Sequence, residues 1–524
     1  MEAVKKTVSG IILAFLILSV LLLSFNVHPV RAEGTIHIRA DGSIDPPSAP
    51  VESVDNVSYV FTDNINGSIV VERGSIIIDG AGHTLEGQGI YGEGTGTMDL
   101  EGEGNVTVQN TKIENFVVGI LVNSSYGDTI RNDVIQDGGY SGVLVYSRDS
   151  TIAMNNFTND DQGIVVLSSS ENTVIGNWID GNFDAGIVLG RASNNTLQDN
   201  KITNSFKIGI DVGFSSTNNV INKNDITGNG VGVQLSYSSN NNTILDNNVT
   251  INNVAGISVG YRMPEDASSY AGVSGNIVSG NNISQNACGL EFLFSTGNRV
   301  FHNNFEANTI QAKAEESPSN LLDYAYPFGG NYWSDYNGSD MFSGTHQNIT
   351  GSDGIGDTPY AVDSNHTDHF PLMAPFETFN VTWSNSSHSV SIVSNSSIDD
   401  FTLSSPNWPT LSFTVAGADG TTGFCRVAIP EALINSGTWD DMWAVTVNGT
   451  LIKDRTVVSD AFYTYIYFTY HQSIETVQIT IPEFHLLLIP FLFMAATLAA
   501  TVARWKARAK NLIGDIIKQL KGEI

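Results

Sequence analysis

Between about Asn105 and Phe305, apolar and polar residues alternate in short runs, as in Ile164/Val166, Ile187/Leu189 and Ile210/Val212. Alternation over so few residues predicts strands, and the Gly, Asn, Ser and Thr between the runs disfavour helix. The runs recur. Gly119-Ile120, Gly142-Val143, Gly163-Ile164, Gly186-Ile187, Gly209-Ile210, Gly232-Val233, Gly256-Ile257 and Gly289-Leu290 follow one another at roughly 21 to 24 residues, with one step of about 33, the spacing of a solenoid coil. A second ladder keeps the same step: Asn110, Asn132, Asn155, Asn177, Asn200, Asn224, Asn247, Asn281 and Asn303, each just before an apolar residue. Several short strands per coil, stacked coil on coil, predict a parallel β-helix over 67–328. The glycines are expected to turn corners at positive φ, and the asparagines to bond amide to amide between coils.

The flanks read differently. Residues 1–32 carry Lys5 and Lys6, an apolar run and a small-residue site near Ala32, the pattern of a secretory signal peptide. Residues 33–66 are left as an N-terminal cap region. After Pro375 the glycine ladder stops. Val390–Val393, Leu411–Val415, Phe424–Ile429, Trp443–Val447 and Phe462–Tyr470 read as strands of a small β-sandwich over 376–480. An apolar run at 485–503 is long enough for a C-terminal transmembrane helix, and the basic residues that open 504–524 mark its cytoplasmic side. The expected fold class is thus all-β, a solenoid followed by a sandwich, with one terminal membrane helix.

Charge narrows the partners. The 524 residues carry a net charge of −30, and nine of the 24 basic residues lie in the membrane-flanking segments. The remainder is acidic enough to repel nucleic acid. About sixteen Asn-x-Ser/Thr sequons, including Asn56, Asn66, Asn156 and Asn248, fit an extracellular chain. Cys288 and Cys425 lie far apart, and each reads as a buried small hydrophobe rather than half of a disulfide.

The Ile77-Ile78-Asp79-Gly80-Ala81-Gly82-His83-Thr84-Leu85 segment, the asparagine and glycine repeats, and a closing text over 329–375 resemble the NosD-like family of right-handed parallel β-helix proteins. That closing text comprises Gly329-Gly330-Asn331-Tyr332-Trp333-Ser334-Asp335-Tyr336, Asp353-Gly354-Ile355-Gly356-Asp357-Thr358-Pro359-Tyr360 and Asp368-His369-Phe370-Pro371-Leu372-Met373. The resemblance covers about Val60 to Pro375. It implies a pectin-lyase-like fold outside the cytoplasm, and it brings an assembly factor for an extracytoplasmic metalloenzyme among the possible roles. Ile481-Pro482-Glu483-Phe484 resembles the tail signals of archaeal surface proteins.

Candidate chemistry is sparse. Asp160-Asp161 faintly resembles a paired-aspartate glycosidase motif, but its usual partners are missing, so a polar corner loop is expected. Asp353, Asp357, Asp363 and Asp368 crowd a Gly-rich loop and are candidate calcium ligands. His366 and His369, beside Asp363, are candidate copper or zinc ligands, though a solvent-exposed pair is the plainer reading.

Two stripes along the rod are candidate binding surfaces. Two residues after each glycine, Leu121, Leu144, Val165 and Val188 give way to Asp211, Gln234, Ser258 and Glu291, an outward stripe that changes from apolar to polar. Five residues after it stand Arg191, Phe214, Tyr237, Tyr261 and Phe294. If the strand continues, these odd offsets point inward and the rings are core stacking; if not, they form a platform for a sugar chain. The expected function is a membrane-anchored surface module that binds a polysaccharide or another cell-surface protein, with a carbohydrate-active enzyme as the alternative. Convergence of Asp160, Asp161, Asp184, Asp211 and Arg191 on consecutive coils separates the two.

Overall fold

The computed structural model describes residues 33–89, 97–261, 272–404, 409–433, 443–481, 498 and 500–506. The signal segment lies outside them, as does nearly all of the apolar run at 485–503. Among the described residues no helix is long and apolar enough to cross a membrane. The chain divides into two compact units. The first holds everything to Tyr324 together with Trp333–Asp335 and Tyr360–Asp368; the second holds the rest of the closing segment and everything from His369 on.

The first unit is the predicted solenoid. Each coil has three parallel faces, exemplified by Thr196–Gln198, Lys201–Thr203 and Ile208–Gly213, and each strand pairs in register with its counterparts one coil away. Between residues 107 and 315 the first two faces use strands of three residues, whereas strands of the third run from five to nine. Inward residues such as Ile187, Ile202, Ile210 and Leu197 are wholly buried, so the core is a stack of aliphatic side chains.

Amides govern all three corners. Asn200 shows the pattern: its Oδ1 accepts from the backbone N–H of Asn177 (3.0 Å) and from Asn177 Nδ2 (2.9 Å), and its Nδ2 donates to Val174 O and Asn224 Oδ1, both at 2.9 Å. Both lone pairs and both protons of the amide are used. The same bonding recurs through Asn172, Asn195, Asn219 and Asn242 at another corner, and Asn182, Ser205, Asn229 and Asn252 occupy the third. The ladder is therefore threefold, and its register corrects the sequence pattern. Asn110 and Asn132 lie one residue before the ladder, at φ 55° and 56° on the surface, and the ladder positions in their coils are Thr111 and Asp133.

The glycines also have a different purpose from the one expected. None of the eight ladder glycines has positive φ. A Cβ on Gly209 would lie 2.6 Å from Gly232 O and 2.9 Å from the Ile226 side chain, so glycine is required by the closeness of the next coil. Positive φ falls instead on corner residues such as Asn204, Ser215 and Asn218.

The closing motif ends the core. Trp333 is fully buried, stacked between Phe305 (4.3 Å between centroids, 7° between planes) and Tyr360 (4.4 Å, 11°), and its Nε1 donates to Asp368 Oδ2 at 2.9 Å. His366 is buried rather than exposed: Nδ1 lies 2.9 Å from both oxygens of Asp363, and Nε2 lies 2.6 Å from Ser317 O.

In the second unit two five-stranded antiparallel sheets share one apolar core that includes Val390, Phe413, Val427, Phe468 and Ile479. Cys425 lies in that core and Cys288 in the solenoid; each is a free, buried thiol whose pKa burial pushes up to about 11.

Two predictions come from these contacts. Asp133 stands where a ladder amide would donate; its Oδ1 accepts from Thr111 N, and Oδ2 has no partner. Burial raises its pKa to about 7, so between roughly pH 4 and pH 7 the fold binds a proton that the unfolded chain releases. Stability from this acid is complete at the low end of that window and falls as pH rises through it. Asp133→Asn, which restores the donor, is expected to raise the melting temperature at pH 8 and to change it little at pH 4.5. An equal change at both pH values in circular-dichroism melts would contradict a neutral acid in the ladder. Trp333→Ala exposes the face of Phe305 and is expected to cost about 3–5 kcal/mol in denaturant unfolding; a cost below about 1 kcal/mol, the range of a surface change, would rule out the capping role.

Candidate functional site

Among the described residues the third face has the longest strands of the coil, and the binding candidates gather on it. Leu121, Leu144, Val165, Val188, Asp211, Gln234, Ser258 and Glu291 are cross-strand neighbours in one continuous column. Its apolar half packs sideways on itself: Leu144 and Val165 touch Val118, Leu121, Leu167 and Val188 and are 8% and 1% exposed. Little of their surface is left for a partner.

The polar half carries charge. Lys207 Nζ lies 2.7 Å from Asp184 Oδ1, and Gln162 donates to Asp184 Oδ2 at 3.0 Å. Asp211, one coil on, is half-buried and receives only a 3.5 Å contact from Ser236 Oγ. Desolvation first, and then the Asp184 carboxylate, push its pKa up to about 7. Asp161 is raised by the same two causes and eased by Lys207. Asp161 and Asp184 thus converge on Lys207, and Asp211, on the same face one coil on, senses Asp184. Asp160 does not join them. It faces inward as a rung of the third amide ladder, accepting from Gly138 N at 2.7 Å, with its carboxyl raised well above the usual range by burial. Arg191 is exposed at the far margin of the face.

Aromatic residues line both margins. The strand does not continue through the positions five after the glycine: Arg191, Phe214, Tyr237 and Phe294 take φ of 53°, 53°, 49° and 52°. This turn swings the side chains out of the core. The rings expected inside are therefore on the surface, with Phe214 46% exposed. Phe214 and Tyr237 stack at 4.9 Å and 9°, and Tyr237 and Tyr261 stand 5.1 Å apart at 36°. On the opposite margin Phe183 and Phe206 stack at 5.7 Å and 10° while 62% and 71% exposed, and Lys207 Nζ lies 5.7 Å from the Phe183 centroid. Sequence reasoning missed this second pair. Its signal was present: both rings stand three residues before a ladder glycine.

Stacking decides what each margin offers. A ring between two others spends both faces on its neighbours, so Tyr237 presents an edge, and only the ends of a stack offer a face. Phe206 is such an end. The next coil brings Gly230, where a Cβ would meet Lys207 O at 2.2 Å and Phe206 O at 2.7 Å, and so places no side chain beside the ring. Between the two margins lies a strand of six residues, Ile208–Gly213, about 20 Å of surface.

The proposed calcium ligands have other partners and fall in different units. Asp353 Oδ1 accepts from Ile355 N, and Asp357 accepts from Met341 N, Phe342 N and Ser339 Oγ. Asp363 accepts from the backbone of Asn365 and His366, and Asp368 from Trp333. Among the described residues no three His, Cys, Asp or Glu side chains are grouped so as to hold a metal ion.

Register, coil length and inward aliphatic stacking define a right-handed parallel β-helix protein. The profile described as "Periplasmic copper-binding protein (NosD)" matches residues 66–268 and 267–338, and the chain belongs to that family. Among the described residues no donor set fits copper: no three such side chains are grouped, His366 spends both ring nitrogens on Asp363 and Ser317, and both thiols are singly buried. No curated protein matches the chain. Several solved structures are similar to the chain. The Azotobacter vinelandii mannuronan C-5 epimerase AlgE4 A-module is 19% identical, covering 51% of this chain and 81% of that one at a TM-score of 0.43. The periplasmic alginate epimerase AlgG is 16% identical (57% and 76%, TM-score 0.41), and a tailspike of E. coli bacteriophage HK620, solved with a pentasaccharide, is 11% identical (80% and 81%, TM-score 0.38).

The cluster makes one electrostatic prediction. Asp184→Asn removes a negative charge facing Asp211 and is expected to lower the Asp211 pKa from about 7. Carboxyl titration by ¹³C NMR reads this directly; an unchanged value would show that the two carboxylates do not sense each other.

Proposed function

We propose that this protein is an extracytoplasmic binding module that holds a polysaccharide across the third face of its solenoid, between Phe183/Phe206 and Phe214/Tyr237/Tyr261. The observation that carries the reading is the stacked pair Phe183 and Phe206, exposed to solvent beside half-buried polar groups. Leaving two phenylalanines in water has no folding benefit, whereas the apolar face of a sugar ring is a partner for the open end of such a stack. A rigid β-helix also fixes its margins before the ligand arrives, which lowers the ordering cost of binding. The leader-like pattern of residues 1–32 and the apolar run at 485–503 support a rod held outside the cytoplasm on a membrane anchor, and in this reading the bound chain belongs to the cell exterior. Calcium at the closing segment has no part in this reading.

A second reading, chemistry on the bound chain, is favoured by Asp211. A half-buried carboxyl with a pKa near 7 is poised for proton transfer.

Calorimetric titration of the full-length protein with soluble oligosaccharides tests the reading. Phe206→Ala is expected to weaken binding about fivefold, since face contacts of this kind contribute about 1 kcal/mol. Trp178→Ala, also exposed but on the second face, should leave affinity unchanged. Equal loss from both substitutions, or from neither, contradicts the placement. Chromatography of the titrated sugar shows whether it is altered.

A further inference from the structure

One polar side chain on the floor of the third face is buried without a partner. Val233 and Leu235 lie wholly inside the core, so Gln234 between them points outward, yet it is only 8% exposed. Its neighbours in the column are Asp211 and Ser258. Asp211 has the 3.5 Å contact from Ser236 Oγ, and the Ser258 hydroxyl donates to Glu291 Oε1 at 3.1 Å. Glu291 in turn pairs with Lys313 Nζ at 2.7 Å. The Gln234 amide makes no hydrogen bond among the described residues. The surface beside it is hollow. Two residues beyond the column, Leu167 and Leu293 stand at the ends, and the coils between them carry Gly190, Gly213, Ser236 and Gly260. Gly260 is needed for close packing, since a Cβ there would collide with Leu293 O. Gly213 has no such backbone neighbour. A Cβ on it would lie 3.0 Å from Ser236 Oγ, 3.7 Å from Asp211 Oδ1 and 3.9 Å from Tyr237 Cδ2. Floor column and aromatic margin thus meet around this one hollow, one coil from Gln234.

We propose that Gln234 is a specificity-determining residue of this face, taking two adjacent hydroxyls of an uncharged sugar, one donating to Oε1 and the other accepting from Nε2. The inference rests on the reading that this face binds a glycan and adds the group that reads it and the class of sugar. A primary amide presents donors and an acceptor side by side, and a vicinal diol offers the complementary pair. A buried amide without partners is unfavourable until a ligand supplies them. A sugar with those hydroxyls blocked leaves the amide unpaired, and a site built for hydroxyls rejects it for that reason. A polyuronate would bring carboxylates onto a column that holds Asp211 and Glu291, in a chain of net charge −30.

Calorimetry on the full-length protein with hexamers of glucose, mannose, galactose and galacturonic acid tests this. At least one uncharged hexamer is expected to bind, and the galacturonate about tenfold more weakly or not at all. Gln234→Leu should weaken that uncharged hexamer about tenfold, the effect of losing two neutral hydrogen bonds. Its melting temperature should be equal or higher, because an unsatisfied amide has been removed. Methylating the adjacent hydroxyls of the hexamer should abolish the difference between Gln234→Leu and the unsubstituted protein. Gln198→Leu, on the first face, should change nothing. A lower melting temperature for Gln234→Leu would make the amide structural and overturn the inference, as would tighter binding of the galacturonate. Binding of an uncharged hexamer that depends on Phe206 but not on Gln234 overturns it too, but leaves glycan binding standing. If none of the four hexamers binds, the underlying reading fails as well.

Discussion

The structure depends on one hydrogen-bonding arrangement, the asparagine amide that serves two coils at once. Asn200 takes two protons from Asn177 and gives its own to Val174 and Asn224. A buried amide with all four bonds made costs little, whereas one left half-satisfied costs about 1–3 kcal/mol. Every coil is therefore pinned in rotation and height to its neighbours. A shift of one residue would leave the corner amides unpaired and turn the aliphatic side chains to water. The ladder thus sets register, and register lets the aliphatic core form.

From register follows the distribution of surface. The first two faces are too narrow, at three residues, to hold more than a rib of alternating polar side chains. The third is wide enough for a floor and two margins. One margin carries its rings outward because the coil turns at positive φ at Phe214 and Tyr237, and the same turn on successive coils brings them to stacking distance. Regular spacing of coils thus becomes regular spacing of chemistry. Where the column passes from Val188 to Asp211, a scaffold position becomes a charged one without any change in the backbone.

The repeat was legible because its marks are local and periodic. Alternation in Ile187/Leu189 and the recurrent Gly-Ile step determine strand and coil length, and the core follows the predicted side-chain parity. What the sequence concealed depended on one backbone angle or on a neighbour in the next coil. Phe214 and Tyr237 keep inward parity only if the strand persists, and the corner at φ near 50° ends it. The ladder glycines looked like corner residues, yet they are needed because Gly142 O or Gly232 O stands beneath them. Asp160 and Asp161 are adjacent in sequence but face opposite ways, one into the ladder and one into the groove. The partners of Asp357 and Asp363 come from loop backbone whose course no spacing rule foretells.

The central claim is that glycan recognition sits on the third face between two aromatic margins. The most direct measurement is a crystal structure of the protein with a bound oligosaccharide. The account predicts a sugar ring flat against Phe206, between the two aromatic margins, with no displacement of Lys207 from Asp184. A sugar found instead in the cleft lined by Thr422, Tyr470, His471 and Glu475 in the second unit, with the third face bare, would contradict it.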